Sequence, residues 1–153
     1  MKIVHVSPTA SPPETKLSPS RRNIHILVVD DSASVAATLA MLLESEGYSA
    51  IFALSGGAAL EMLSGIAVDV AIIDITMPVF DGIETAAAIC KKLKACKILL
   101  MSGSSDATSL LDRARELNLQ FEILAKPIPP RELLAKLEFL AAQVKTSSAS
   151  TTT

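Results

Sequence analysis

Short apolar runs alternate with segments of helical periodicity over most of the chain. The runs are rich in aliphatic and β-branched residues, as is typical of strands, and they cover residues 24–29, 48–53, 68–73, 97–101 and 121–125. Cap and stop residues mark the ends of five predicted helices. Four of them cover residues 33–46, 83–93, 107–118 and 130–144, and another runs from the turn at 55–57 to residue 64. Near-continuous apolar strands such as ILVV and VAII need cover on both faces, as in a parallel sheet with right-handed crossovers. The pattern therefore predicts a doubly wound five-stranded α/β domain.

The two ends of the chain lack this alternation. Residues 7–23 are rich in Pro, Ser and Thr, and the chain from Thr146 onward is a hydroxyl-rich run. We predict a disordered N-terminal tail over 1–23, one domain over 24–145 and a disordered C-terminal tail over 146–153. The total of 153 residues is an ordinary size for one domain with its own core.

Composition and charge narrow the class of protein. The chain has 14 basic and 16 acidic residues, a formal net charge of −2, so it offers no basic field for a nucleic acid backbone. No apolar run approaches the roughly 18 to 20 residues that cross a bilayer. The two cysteines are too few for a disulfide framework and show no metal-ligand spacing. We predict a cytoplasmic protein with reduced thiols that binds neither nucleic acid nor membrane.

Polar residues stand at the carboxyl ends of four predicted strands. Asp30 and Asp31 follow the first strand, Asp74 the third, Ser102 the fourth and Lys126 the fifth. Because ligands of open parallel sheets bind at this edge, we expect the five side chains to converge. Converging carboxylates repel one another unless a cation lies between them, and oxygen ligands suit Mg²⁺, with Mn²⁺ as a similar fit. In the plainer interpretation, each Asp only caps a helix or a turn. The occurrence of polar residues at four strand ends weakens that interpretation.

These residues lie in motifs that resemble the receiver domain of two-component response regulators, of the stand-alone kind found in chemotaxis. The matching motifs are VVDDS at 28–32, DITMPVFDG at 74–82, MSG at 101–103 and AKPI at 125–128. The resemblance covers residues 24–145. It implies a flavodoxin-like sheet with strand order 2-1-3-4-5 and helices on both faces.

The resemblance also implies roles for the acidic residues. Asp74 would be the phosphoacceptor. Mg²⁺ would be held by the carboxylates of Asp30, Asp31 and Asp74 and by the backbone carbonyl of Thr76. A carboxylate can act as the nucleophile toward a phosphoryl group when nearby cations neutralise charge on the transferring oxygens.

Ser102 and Lys126 would bind the phosphoryl oxygens in such a domain. Lysine supplies a point charge and serine a short hydrogen-bond donor. In the plainer interpretation, Lys126 is a solvated lysine before a proline, and Ser102 caps a turn or a helix. Pro78 and Gly82 are expected to shape the loop after Asp74 without chemistry of their own.

The function implied by the resemblance is a signalling switch that catalyses only its own phosphorylation and dephosphorylation, and no metabolic enzyme. The donor would be a phosphohistidine on a histidine kinase or a histidine phosphotransfer protein. Output would pass through a partner protein or a phosphate relay, since no output domain fits after Val144. Two alternatives stay open: a phosphorylation-independent adaptor, and an aspartate-nucleophile phosphohydrolase of the haloacid dehalogenase type. The latter family carries an acid two residues after its nucleophile, where this chain has Thr76.

Two positions depart from the pattern of receiver domains. Relatives usually carry Tyr or Phe three residues before the lysine, as the residue that moves inward on phosphorylation, whereas this chain has Ile123. We therefore expect a weaker or relocated readout. The first helix has Ala36, Ala37, Ala40 and Met41 on its expected outward face, where relatives often carry Arg or other polar residues. This face is either a run of good helix formers or a docking surface for the phosphodonor.

Overall fold

The structure, a computed structural model, describes residues 24–76, 82–103 and 107–149. Within them, five strands form one parallel sheet in the order β2-β1-β3-β4-β5. The strands are β1 His25–Val29, β2 Ser49–Ala53, β3 Val70–Asp74, β4 Lys97–Ser102 and β5 Phe121–Ala125. The helices are α1 Ala33–Ser45, α2 Gly56–Met62, α3 Gly82–Lys92, α4 Ala107–Glu116 and α5 Pro130–Ala149. The predicted doubly wound sheet and its strand order are confirmed.

Each face of the sheet carries its own hydrophobic core. In β1, Leu27 and Val29 belong to the core under α2, α3 and α4, and Ile26 and Val28 belong to the core under α1 and α5. All four side chains are fully buried, because alternate residues of a strand point to opposite faces. A strand covered on both faces is apolar throughout, which explains the ILVV run.

The strand ends hold the polar residues in the hydrogen-bonded ladder. β3 ends at Asp74 and β4 at Ser102, one residue later than the sequence predicts in each case. Asp74 pairs with Met101 of β4, and the Ile75 amide donates to the Met101 carbonyl at 3.0 Å. The Lys126 amide donates to the Ser102 carbonyl at 2.7 Å. Pairing with neighbouring strands therefore fixes the backbone of each of these residues.

The ends of α1 agree with the cap and stop signals in the sequence. The Ser32 side chain accepts a hydrogen bond from the Val35 amide at 3.4 Å. Gly47 follows the helix with φ of 98°, a backbone conformation that glycine adopts without strain.

The predicted outward face of α1 is wrong at two of its four positions. Ala36 and Ala40 are buried together with Leu43, at the spacing of the helix face toward the core. Small side chains at this contact let α1 approach the sheet closely. Of the four predicted residues, Met41 is 71% exposed and Ala37 is half-buried.

The last helix extends beyond its predicted end. α5 continues to Ala149, so residues 146–149, which their composition assigns to the C-terminal tail, are helical. No Gly or Pro follows Pro130, and therefore no residue after Val144 interrupts the helical backbone. The predicted N-terminal tail lies outside the described residues.

Candidate functional site

The carboxyl ends of the strands bring the predicted site residues together. Asp30 and Asp31 directly follow β1, Asp74 ends β3, Ser102 ends β4 and Lys126 directly follows β5. Oxygens of the three Asp side chains all lie within 4.8 Å of one another. Parallel strands β1, β3, β4 and β5 are neighbours in that order, so their ends meet at one edge. The site is thus assembled from four separate segments of the sequence.

The Asp74 carboxylate is buried and hydrogen-bonded at both oxygens. Its Oδ1 accepts hydrogen bonds from the Thr76 amide at 2.9 Å and the Thr76 hydroxyl at 2.6 Å. Its Oδ2 accepts a hydrogen bond from Lys126 Nζ at 2.9 Å. Burial alone would raise the pKa of Asp74, but the hydrogen bonds from Thr76 and Lys126 outweigh it and hold that pKa below its ordinary value. Asp74 is therefore ionised at neutral pH, as a carboxylate nucleophile must be.

The Asp30 carboxylate is equally buried but incompletely paired. Its Oδ1 accepts a hydrogen bond from the Ser32 amide at 2.9 Å. Its Oδ2 is buried without a hydrogen-bond partner and lies 3.5 Å from Lys126 Nζ. Burial raises the pKa of Asp30, and the Ser32 amide and the Lys126 charge offset only part of that effect. A buried oxygen without a partner costs free energy, which a bound cation at this position would recover.

The three Asp side chains fit a divalent cation with hard oxygen ligands. The unpartnered Oδ2 of Asp30 supplies a buried ligand atom, and Asp31 is exposed on the solvent side of the cluster. A partly open site of this kind suits an ion that retains several waters, such as Mg²⁺ or Mn²⁺. Thr76 contacts Asp74 through its amide and its hydroxyl. The role of its carbonyl as a metal ligand stays a prediction.

Lys126 lies between the two buried carboxylates. Its Nζ is 2.9 Å from Asp74 Oδ2 and 3.5 Å from Asp30 Oδ2. Burial alone would lower the pKa of Lys126, but the hydrogen bond and the charges of the two carboxylates raise it above its ordinary value. The side chain is 30% exposed, so the ammonium group can contact an anion that approaches Asp74.

Gly82 allows the chain to return closely to the site at the start of α3. A Cβ atom at this position would lie 2.5 Å from the Asp74 carbonyl oxygen and 2.6 Å from the Ile75 Cα. Both distances are too short for a Cβ atom, so this close approach of the start of α3 to the end of β3 requires glycine. The predicted role of Gly82 in the loop after Asp74 stays a prediction, because Pro78 and the other residues of that loop lie outside the described residues.

The Thr76 hydroxyl is a site contact that sequence reasoning missed. The sequence predicts a role for the Thr76 carbonyl, whereas its hydroxyl and amide both donate to Asp74. The D-x-T spacing could have indicated this, because an Asp side chain often accepts from the amide two residues later. The same turn occurs at the end of β1, where Asp30 accepts from the Ser32 amide.

A groove of about 700 Å³ opens beside the site. It lies between the first half of α1 and the chain after β5, and its lining residues are Ser34, Val35, Thr38, Leu39, Met101, Gly103, Lys126, Pro127 and Ile128. Val35 is 39% exposed at this groove. The apolar surface of α1 next to the site is therefore formed by Val35 and Leu39 rather than by Ala37 and Met41.

Ile123 occupies the position three residues before Lys126. It is half-buried and packs against the core under α2, α3 and α4, as does Phe121 two residues earlier. The two side chains share one face of β5 because strand residues alternate. Neither carries a polar atom that could exchange hydrogen bonds with Ser102.

Sequence comparisons place this site in a known family. Residues 26–138 match the family described as response regulator receiver domain. CpxR of Escherichia coli K12, a transcriptional regulatory protein, is 35% identical over 113 residues, which cover 73% of this chain and 47% of CpxR. The probable transcriptional regulator ycf27 of Cyanidium caldarium is 30% identical over 131 residues, covering 85% of this chain and 51% of ycf27. The chain thus spans about half the length of these curated relatives.

Solved structures agree with the sequence match. A CheY-like receiver domain protein of Methanospirillum hungatei superposes with a TM-score of 0.71 at 25% identity, covering 81% of this chain and 98% of that one. Chemotaxis protein CheY4 of Vibrio cholerae gives a TM-score of 0.66 at 28% identity, with coverage of 76% and 98%. Receiver domains bind Mg²⁺ through acidic residues, and this chain has a cluster of three at its strand ends. The chain belongs to the response regulator receiver domain family.

Proposed function

We propose that this protein is a phosphorylation switch in which Asp74 accepts a phosphoryl group from a phosphohistidine donor. The observation that carries the proposal is the ionised, buried Asp74 carboxylate with Lys126 Nζ at 2.9 Å and two further carboxylates beside it. Members of the receiver domain family are phosphoacceptor switches and generally not catalytic enzymes. The only chemistry assigned to the chain is therefore its own phosphorylation and dephosphorylation.

In this proposal, Asp74 Oδ2 is the attacking oxygen. Thr76 fixes Oδ1 through two hydrogen bonds, whereas Oδ2 faces the ammonium group of Lys126. As the new O–P bond forms, the P–N bond to the donor histidine breaks and its electron pair returns to the imidazole, which takes up a proton. Lys126 moves from the carboxylate to one phosphoryl oxygen, and the Ser102 hydroxyl donates to another. Positioning and charge neutralisation are the contribution of these residues.

The carboxylates of Asp30, Asp31 and Asp74 and the carbonyl of Thr76 would hold Mg²⁺, or Mn²⁺ in its place. A bound ion would neutralise part of the charge on the transferring phosphoryl oxygens. The buried Oδ2 of Asp30 supports this assignment because it accepts no hydrogen bond.

The proposed donor is a histidine kinase or a histidine phosphotransfer protein that docks over the groove beside α1. Val35, Leu39 and Ile128 give the helices of a donor an apolar surface next to Lys126 and within reach of Asp74. This surface replaces the Ala-rich face in the docking hypothesis, because two residues of that face are buried.

Output in this proposal passes through a partner protein or a phosphate relay. The formal net charge of −2 offers no basic field for a nucleic acid backbone, so we propose no nucleic acid partner. None of the helices in the described residues has the length and apolarity to cross a membrane. We place the switch in the cytoplasm, where its reduced thiols are stable.

The two alternative functions differ in what they require of the site. A phosphohydrolase of the haloacid dehalogenase type needs an acid at the position of Thr76, but Thr76 uses its hydroxyl and amide to hold Asp74. A phosphorylation-independent adaptor would have no need of an ionised Asp74 beside Lys126. Family membership and these contacts favour the switch.

Intact mass spectrometry after incubation with acetyl phosphate and Mg²⁺ tests the proposal. The wild-type protein should gain the mass of one phosphoryl group, and Asp74→Asn should gain none while its urea unfolding curve stays close to that of the wild type. Asp112→Asn, at an exposed position of α4, is the matched control and should be phosphorylated like the wild type. No uptake by the wild type would support the adaptor, and turnover of phosphomonoesters would support the hydrolase.

A further inference from the structure

The two edges of the sheet are protected differently. β5 forms one edge and carries Glu122, which pairs with Lys136 of α5 at 2.9 Å. β2 forms the other edge, and its sequence SAIFA contains no charged residue and no proline. Proteins usually charge or cover such an edge, because unpaired strand backbone and apolar side chains attract other extended chains.

The hydrogen-bond pattern of β2 identifies its outward backbone groups. The Ser49 amide and the Ala53 carbonyl both bond toward the chain of β1, at 3.0 and 3.1 Å. Because this direction alternates along a parallel ladder, the amides and carbonyls of Ala50 and Phe52 point to the open edge. The Phe52 side chain is 40% exposed at the same place. Both backbone and side chain of this edge can therefore accept another strand.

A groove of about 290 Å³ lies at the start of this edge. Glu44, Ala50, Ile51 and Ile66 contribute to its lining, and Ile66 is 43% exposed. His25, the first residue of β1, lines the same groove. The start of β1 therefore lies directly beside the groove.

The chain before β1 contains a segment with the composition of a strand. Residues 2–6, KIVHV, include three branched apolar residues, and the Pro-rich composition begins only at residue 7. Residues 1–23 carry four basic residues and one acidic residue, a net charge of +3. Because the whole chain has a formal net charge of −2, residues 24–153 carry −5. This basic segment is attracted to an acidic domain and to the groove that Glu44 lines.

The intervening residues reach the edge easily. Adjacent strands are about 4.8 Å apart, so a position beyond β2 lies about 10 Å from β1. Residues 7–23 span several times that distance when extended. A segment on the same chain also competes at a high effective concentration, whereas a second copy of the domain brings a charge of the same sign.

We propose that residues 2–6 pair with the open edge of β2 as a sixth strand. Their backbone bonds to the outward groups of Ala50 and Phe52, and their apolar side chains extend the surface of Phe52 over the groove.

Amide hydrogen exchange of the full chain, read by NMR, tests the proposal. The variant I3P/V4P removes two adjacent amide donors, so it blocks pairing in either register. The amides of Ala50 and Phe52 should exchange on the order of tenfold faster in this variant than in the wild type. The amide of Ala53, which bonds toward β1, should stay protected in both and report an intact sheet.

The variant A10P/S11P is the matched control, because it places two prolines in the residues that only link the segment to β1. It should keep the wild-type protection at Ala50 and Phe52. Equal exchange in the wild type and I3P/V4P overturns the proposal. Protection that persists in I3P/V4P and falls on dilution also overturns it, because it assigns the edge to a second copy of the chain.

Discussion

The site at the carboxyl ends of the strands and the outer face of β5 are stabilised by different interactions. In the site, Asp74 is 3% exposed and accepts three hydrogen bonds. On the outer face, the ion pair of Glu122 and Lys136 joins side chains that are 33% and 38% exposed. An exposed pair of this kind contributes about 0 to 1 kcal/mol, whereas three hydrogen bonds hold the Asp74 carboxylate in one orientation beside Lys126. Single substitutions should therefore disable the site and leave the outer face nearly unchanged.

The same difference separates phosphorylation from its readout. Ile123 is half-buried on β5 and has no polar side-chain atom, so it cannot exchange hydrogen bonds when the site becomes phosphorylated. The ends of β4 and β5 are joined by the backbone hydrogen bond from the Lys126 amide to the Ser102 carbonyl at 2.7 Å. We infer that a signal leaves the site through the backbone of the loops rather than through a side chain of β5.

Replacing Lys126 should give the largest effect, because it removes the ammonium group that both buried carboxylates face. Lys126→Met keeps the length of the side chain without its charge. We expect phosphoryl uptake from acetyl phosphate to slow about 10²- to 10³-fold, as when one donor to a developing anion is lost. Intact mass measured over time gives the rate. Lys136→Met removes a lysine from the outer face and should keep the wild-type rate; an equal loss there would contradict the contrast between the two regions.

A methyl group at Gly82 should disturb the site through its backbone. In Gly82→Ala the new Cβ meets the Asp74 carbonyl oxygen at 2.5 Å, so the strand end or the start of α3 must move. We expect a loss of about 1 to 3 kcal/mol in the free energy of unfolding, measured with urea. Gly57→Ala is the control, because a Cβ there meets nothing within 4 Å, and it should leave stability unchanged or raise it by up to about 1 kcal/mol. Similar stabilities of the two variants would show that the start of α3 is not tightly packed against Asp74.

Neutralising Asp30 should stabilise the metal-free protein. Burial raises the pKa of Asp30 above its ordinary value of 3.8, so its contribution to stability is complete below that value and is lost as the pH rises through the raised pKa. Asp30→Asn avoids this loss. In EDTA at about pH 7, we expect the free energy of unfolding of Asp30→Asn to be about 1 kcal/mol higher than that of the wild type. The reason is that a buried charge with an oxygen that accepts no hydrogen bond is removed. The advantage should shrink as the pH approaches about 4.

Asp31→Asn is the control for this comparison, since Asp31 is exposed. Its stability without metal should follow that of the wild type at both pH values. The lowered pKa of Asp74 acts in the opposite direction, with stability lost as the pH falls through it. Asp74 and Asp30 interact electrostatically, so the difference at about pH 7, where Asp74 is ionised in all three proteins, is the one that isolates Asp30. A less stable Asp30→Asn at about pH 7 would mean that Lys126 compensates Asp30 fully.

The site was easier to predict from sequence than its surroundings. Asp30, Asp74 and Lys126 follow apolar strands, and the geometry of a parallel sheet brings such residues to one edge whatever the loops do. The burial of Ala36 was missed because alanine suits both a helix surface and a close helix–sheet contact, so its position on the helix decides. The Thr76 hydroxyl was missed because its contact depends on a turn geometry that the D-x-T spacing permits without requiring.

The smallest expected effect is the response to phosphorylation of the β5 face that carries Ile123, opposite to the face of Glu122. A ligand shifts a two-state equilibrium only by its different affinities for the two states, and Ile123 offers no polar contact that differs between them. Its β-branched side chain also strongly prefers one χ1 rotamer. We therefore expect beryllofluoride, an acyl-phosphate mimic, to change amide chemical shifts in the loops after Asp74 and Ser102 more than in residues 119–124.

The comparison is sharpest when Ile123→Tyr is measured beside the wild type. Tyrosine restores a ring and a hydroxyl at the position where relatives carry an aromatic residue, so beryllofluoride should then shift the amides of β5 and the adjacent faces of α4 and α5 more than in the wild type. The loops after Asp74 and Ser102 should respond equally in both proteins, because the site itself is unchanged. Large shifts centred on residues 119–124 in the wild type would mean that packing alone transmits the signal through β5, and the inference that the loop backbone carries it would be wrong.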